Sequence, residues 1–282
     1  MKIPMFSSRT IKQTFFGRTM VDGAEVRLAR LFSQRNVEDF DPFLLLDVFD
    51  SSDPAEYTGG FPSHPHRGIE CLTYLVEGRM EHEDTLGNKG VITSGGCHWL
   101  TTGSGVIHQE MPKSVPHMLG VQLWINMPKK DKMSPPAFQN ITPDQVPVVN
   151  EKGAQVRIVA GAYKKTPGAL QPQYVNVTFL DVTLDSGASW SYSMTASETL
   201  FVYVLDGECR DGDDAPLARR QAALFTSGGS VKLKSPGAQT RFLLATGKPI
   251  GERVAWGGPV VMNTEEELCL AFSQLKDGTF LK

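Results

Sequence analysis

The chain has 282 residues, enough for two domains or one large β domain, and either can bury a proper core. With 28 basic and 31 acidic side chains, its net charge of −3 gives no electrostatic footprint for direct contact with nucleic acid or an anionic membrane. Its 18 Pro and 27 Gly, scattered without a low-complexity tract, favour many strands joined by turns over a helical bundle.

In chain order, residues 1–8 lack the apolar stretch of a secretory signal, and apolar runs such as 43–46 are too short to cross a bilayer. Alternating or short apolar runs predict strands over 24–32, 70–76, 119–125, 156–159, 174–180, 199–204 and 241–245. Turn clusters at 51–54, 58–60, 86–90, 94–96, 211–214 and 227–230 separate them, a spacing typical of an all-β sandwich or barrel. Residues 127–147 are rich in Pro and Lys and read as a linker, with Lys129, Lys130 and Lys132 solvated; the boundary falls between domains 1–134 and 135–282. One clear helix is predicted near the end. Thr264 and Glu267 form a capping box, Leu268, Ala271, Phe272 and Leu275 follow at helical spacing, and Gly278 stops it. Cys71, Cys97, Cys209 and Cys269 are widely spaced with no C-x-x-C, so they read as reduced, buried thiols of a cytoplasmic protein.

An internal repeat is visible. Tyr74-Leu-Val-Glu-Gly78 is echoed by Tyr203-Val-Leu-Asp-Gly207, and Thr93-Ser-Gly-Gly96 by Thr226-Ser-Gly-Gly229, which suggests two copies of one β domain.

The most informative residues are His64-Pro65-His66 and His108-Gln109-Glu110. Side chains at i and i+2 share one face of a strand, whereas on a helix they point apart. Two strand segments can therefore bring His64, His66, His108 and Glu110 to one divalent metal. Three imidazoles and a carboxylate suit iron, copper, nickel, manganese or zinc better than calcium or magnesium. Such a set leaves coordination positions open, as in a reactive site and unlike a closed structural one. The second repeat has no equivalent. Counting from the repeated motifs, His64 and His66 fall on Ser193 and Thr195, and His108 and Glu110 on Arg241 and Leu243, or on Thr240 and Phe242 with a one-residue slip. Plainer roles fit the other candidates. His82 reads as part of a solvated loop, or as a residue behind the ligands; His98 and His117 read as packing or surface residues. Phe61, Met80 and Trp99 read as core, with pocket lining as the alternative.

These residues resemble the pirin family of the cupin superfamily over nearly the whole chain. The likeness is carried by AspProPheLeuLeuLeuAsp at 41–47, PheProSerHisProHisArgGly at 61–68, HisGluAspThrLeuGly at 82–87 and GlySerGlyValIleHisGlnGluMetPro at 103–112. GlyGluArgValAlaTrpGlyGlyProValValMetAsn at 251–263 adds to it. The resemblance implies an all-β bicupin, two antiparallel β-barrels (cupin, or jelly-roll, domains) packed face to face, with a short C-terminal helix. It implies one metal in the N-terminal barrel, Fe(II) first, held by His64, His66, His108 and Glu110, with Glu70 structural or behind the ligands. Pirin-like proteins include quercetin 2,3-dioxygenases. The implied activity is opening of a flavonol's heterocyclic ring with O2 and release of carbon monoxide, Glu110 accepting the proton of the 3-hydroxyl. Pirins are also described as iron-dependent redox-sensing transcriptional co-regulators, which would give the metal a protein partner instead of a substrate. No basic nuclear-localisation run is present, which favours the enzyme.

Overall fold

The computed structural model describes residues 8–282, and nearly all of its regular structure is strand. Residues 1–7, on which most of the reading of the N-terminus rests, lie outside the described residues. Among the described residues, no helix is long and apolar enough to cross a membrane.

Two compact units form from interleaved segments. One contains the described residues up to Gly17 with Glu38–Asp41 and Val146–Pro249; the other contains Arg18–Val37, Pro42–Gln145 and Ile250–Lys282. The sequence suggested a single boundary after residue 134. Instead, the strand Ala137–Ile141 pairs antiparallel with Cys97–Thr101, which ties the Pro- and Lys-rich segment to the unit before it. Lys129 and Lys130 are exposed as expected, but Lys132 is buried. Its Nζ donates to Gly68 O at 2.7 Å, Asn126 Oδ1 at 2.6 Å and Val261 O at 3.0 Å. Burial pushes the Lys132 amine down to about 7, and oxygens on three sides replace the water it gives up.

The second-described unit has a seven-stranded sheet in the order Ala137–Ile141, Cys97–Thr101, Ile69–Glu77, Met118–Asn126, Phe43–Ser51, Val26–Phe32, Arg18–Asp22. A four-stranded sheet runs Phe61–His66, Val106–Pro112, Arg79–Asp84, Lys89–Thr93. Val26, Leu28, Phe49 and Leu75 of the larger sheet pack with Met80 and Ile92 of the smaller in one buried cluster. The other unit repeats this plan with a seven-stranded and a five-stranded sheet. Its core joins Val156, Val182, Val202 and Phe242 to Trp190, Tyr192, Val231 and Leu233. The fold is thus mostly β, with two cupin-like domains.

The Tyr74 and Tyr203 echo lies on equivalent strands, Ile69–Glu77 and Thr199–Asp206, each flanked on both sides within its large sheet. The Thr93 and Thr226 echo does not. The first turn precedes a strand of the large sheet, whereas the second follows one, Gln221–Phe225. By strand pairing, the counterpart of Val106–Pro112 is Ser230–Lys234, which lies against Ser189–Ser193. The count that reached Arg241 therefore landed on the wrong sheet, where Arg241 forms a two-pronged pair with Asp181 at 2.9 and 2.6 Å. Ser230–Lys234 holds no histidine or acid, so the two units still differ as expected.

The helix Glu265–Lys276 begins at Thr264, whose Oγ1 accepts from Glu267 N at 3.2 Å while Glu267 Oε2 accepts from Thr264 N at 3.1 Å. Leu268 and Ala271 are buried, but Phe272 is exposed, so the apolar stripe is narrower than the sequence spacing suggested. Cys71, Cys97 and Cys209 are buried and form no disulfide; Cys269 differs from the expectation, being exposed on this helix.

Replacing Lys132 with Met should leave three buried oxygens short of a donor, at about 1–3 kcal/mol for each acceptor that finds no substitute. The urea midpoint is expected to fall by the equivalent of at least ~2 kcal/mol; an unchanged midpoint would show that the lysine does not hold these segments together.

Candidate metal centre

The strand Phe61–His66 is the edge of its four-stranded sheet, where Pro65, lacking an N–H, is tolerated. Its inner neighbour places His108 directly opposite His64. His66 follows His64 by two residues and so returns to the same face. Ring nitrogens of His64, His66 and His108 lie within 4.8 Å of one another, and this is the one such group among the described residues. The rings themselves are 4.3 Å (His64–His108), 4.8 Å (His64–His66) and 5.1 Å (His66–His108) apart between centroids.

Two of these imidazoles are oriented by backbone carbonyls. His64 Nδ1 is 2.8 Å from Pro62 O and His66 Nδ1 is 3.0 Å from Pro259 O. A carbonyl only accepts, so each Nδ1 carries a hydrogen and Nε2 is the nitrogen each ring can offer a metal. Burial, with the charge of His64 beside it, pushes His66 down to about 3. Burial and the neighbouring imidazoles also push His108 well below the usual histidine range. Both rings are therefore neutral near pH 7, the form that binds a metal. His108 Nε2 is buried with no hydrogen-bond partner. An orphaned buried acceptor is costly in an apoprotein, and a cation in the cluster removes that cost. The residues present fit a transition-metal ion.

Glu110 is buried beside this group but not within it. A register shift between His108 and Glu110 sets Glu110 opposite Phe61. Its Oε1 accepts from Thr73 Oγ1 at 2.7 Å and its Oε2 from Gln122 Nε2 at 2.5 Å. Trp124 Nε1 donates in turn to Gln122 Oε1 at 3.1 Å. Glu70 lies elsewhere, accepting from Trp99 Nε1 at 3.0 Å and Thr101 Oγ1 at 2.9 Å.

His82 is the residue that sequence reasoning misplaced. It sits on the strand Arg79–Asp84, not in a solvated loop, and its ring is buried and stacked on Phe138 at 4.0 Å. His82 Nδ1 is 3.4 Å from His108 Nδ1, and His82 Nε2 is 3.2 Å from Asp84 Oδ2. A signal was present: His82 and Asp84 repeat the one-residue spacing of the ligand pairs. His98 is a packed residue, its Nε2 2.9 Å from Asn140 Oδ1. His117 lies near the surface, between Asp50 and Glu77.

A cleft of about 520 Å³ opens onto His64 and His66. Phe61, Trp124 and Trp256 supply aromatic walls, and Gln122 and the Arg30–Asp47 pair line a polar part, the pair closing at 2.8 and 2.7 Å. Phe61 is thus pocket lining, whereas Met80 and Trp99 belong to buried interior.

The buried histidines make stability pH-dependent. His98 is also pushed down to about 3, by burial and then by the charge of His82. A histidine with a depressed native pKa binds fewer protons folded than unfolded between about pH 3 and its unfolded value near 6.5. Its contribution is complete above the unfolded value and is lost as pH falls through the folded one. Metal-stripped protein is expected to lose at least ~2 kcal/mol between pH 7.5 and 5, read from urea midpoints. A flat profile over that range would mean the imidazoles titrate in the fold as they do in the unfolded chain.

Known proteins match this chain along its length. The family model described as "Pirin" matches residues 25–125, and that described as "Pirin C-terminal cupin domain" matches residues 179–281. A Pseudomonas aeruginosa protein named "Putative quercetin 2,3-dioxygenase PA3240" is 37% identical over 278 residues, covering 96% of this chain and 97% of its own. Pirin of Homo sapiens is 34% identical over 290 residues, covering 97% of this chain and 96% of its own. The crystal structure of a quercetin 2,3-dioxygenase from Acinetobacter baumannii superposes with a TM-score of 0.90 at 29% identity, covering 97% of this chain and 99% of that one. With both halves of the chain matched and full-length relatives above 30% identity, the chain belongs to the pirin family.

Proposed function

We propose that this chain is a metal-dependent dioxygenase that opens the heterocyclic ring of flavonols such as quercetin with O2, releasing carbon monoxide and leaving a depside. The observation that carries this reading is the aromatic-walled cleft opening directly onto a cluster of three imidazoles. Relatives named for the same activity support it. His64, His66 and His108, with Glu110 beside them, would hold one divalent ion. Iron(II) is our first choice, and copper, nickel, manganese and zinc accept the same donors. When bound, such an ion supplies Lewis acidity toward an anionic oxygen and redox contact with dioxygen.

The chain's own groups do the rest. Phe61, Trp124 and Trp256 flank the flat rings of the flavonol and exclude water from the reacting face. Glu110 accepts the proton of the 3-hydroxyl. Thr73 and Gln122 fix its carboxylate by donating one hydrogen bond to each oxygen, so the base is positioned before substrate arrives. Gln122 lines the cleft as well, which joins the substrate surface to the base. We place the protein in the cytoplasm, where its buried thiols stay reduced and outside disulfides.

Aerobic incubation of iron-loaded protein with quercetin tests the reading. Carbon monoxide release coupled to loss of flavonol absorbance is expected. No consumption of quercetin, with metal-dependent binding to a protein partner, would contradict the enzyme and support a co-regulator. Glu110→Gln is expected to slow turnover at least ~100-fold while reducing metal content far less. Wild-type turnover in that variant would remove Glu110 as the base.

A further inference from the structure

We propose that Asp84 and His82 are positioning residues which fix the tautomer of His108, keeping its Nε2 free of hydrogen and able to bind a metal. The consequence for metal rests on the function proposed above, whereas the tautomer is a property of the metal-free protein.

The inference runs outward from Asp84. Its side chain and that of His82 are 0% and 1% exposed. Asp84 Oδ1 accepts from Leu86 N at 2.9 Å and Asn88 N at 3.0 Å, and Oδ2 accepts from Asn88 Nδ2 at 2.9 Å. Gly87, at φ +83°, allows the chain to turn tightly enough for both amides to reach one carboxylate. A carboxylate surrounded by donors only accepts, so His82 Nε2, 3.2 Å from Oδ2, carries the hydrogen. With that hydrogen on Nε2, His82 presents Nδ1 as an acceptor. That atom faces His108 Nδ1 at 3.4 Å, so His108 donates from Nδ1 and its own Nε2 is bare. The nitrogen reached by this reasoning is the one left without a partner.

Phe138, parallel to His82 to within 8° and 4.0 Å away, resists the ring turn that would reverse the order. His64 and His66 reach the same tautomer through single carbonyls. The third ligand needs two side chains to arrive at the same state, because His108 faces another imidazole where the others face backbone. An outer partner of this kind typically changes metal affinity 10–100-fold.

The relay makes an unusual prediction for Asp84→Asn. The new amide can keep its oxygen on Leu86 N and Asn88 N, which turns its NH2 toward His82 Nε2. His82 must then accept there and donate from Nδ1, which forces His108 to put its hydrogen on Nε2. Loss of the ligand follows from a tautomer reversed two residues away, much as a buried Asp→Asn change reverses a catalytic histidine in serine proteases.

The test uses the full chain with cobalt(II) alone as probe, and histidine-selective 15N NMR of the metal-free protein. In wild type, His108 is expected to show a bare Nε2; hydrogen on that nitrogen overturns the proposal whatever the variants do. Asp84→Asn is expected to reverse the His82 and His108 tautomers and weaken cobalt binding ~10–100-fold. Unchanged tautomers or unchanged affinity in folded variant protein would also overturn it. Adding His82→Gln to Asp84→Asn should restore binding, because the glutamine amide can present oxygen to His108 Nδ1. Failure of that rescue in a folded double variant would assign Asp84 a purely structural role and sink the relay. If wild type binds no cobalt yet shows the expected tautomers, the metal reading fails and the relay stands.

Discussion

His108 stands directly opposite His64 across an antiparallel strand pair, and the whole site hangs on that register. The side-chain period of a strand is two, so a slip by one residue would turn these side chains to the opposite face. The register is held by the burial alternation of Val106–Pro112, in which Val106, His108, Glu110 and Pro112 face inward while the intervening residues are half-buried. A local irregularity after His108 then offsets Glu110 from the imidazoles. One register shift thereby sets Glu110 beside the three imidazoles and not among them.

The same burial that shapes the cluster sets its chemistry. Removing water from His66 and His108 disfavours their charged forms, so the rings stay neutral where an exposed histidine would begin to titrate. Neutral rings alone are not enough, since each can carry its hydrogen on either nitrogen. Pro62, Pro259 and the His82–Asp84 pair remove that freedom at three points. Pro259 lies 193 residues from the histidine it orients. The segment after residue 250 thus serves the unit that holds the histidine cluster, supplying a carbonyl to His66, an aromatic wall through Trp256 and an acceptor to Lys132 through Val261.

Much of this was legible before any coordinates. The i, i+2 spacing of His64/His66 and His108/Glu110 implied strands, which follows from local geometry. The capped helix was legible for the same reason, since Thr264 and Glu267 interact three residues apart. What escaped depended on partners distant in sequence. Lys132 looked solvated because nothing near it in the chain reveals that Gly68 and Val261 surround it. His82 looked like a loop residue because HisGluAsp precedes a turn, although the strand runs to Asp84 before turning. The second echo misled because a short Gly-rich turn can recur at different places in a topology, whereas the Tyr74 and Tyr203 strands are fixed by the sheets around them.

X-ray absorption spectroscopy of the metal-loaded protein tests the central claim most directly, because imidazole rings give a scattering pattern that carboxylates and water do not. Three rings bound through nitrogen are expected in wild type, falling to two in His108→Ala. A spectrum fitted by oxygen ligands with one ring or none would contradict the assembly of His64, His66 and His108 around a single ion.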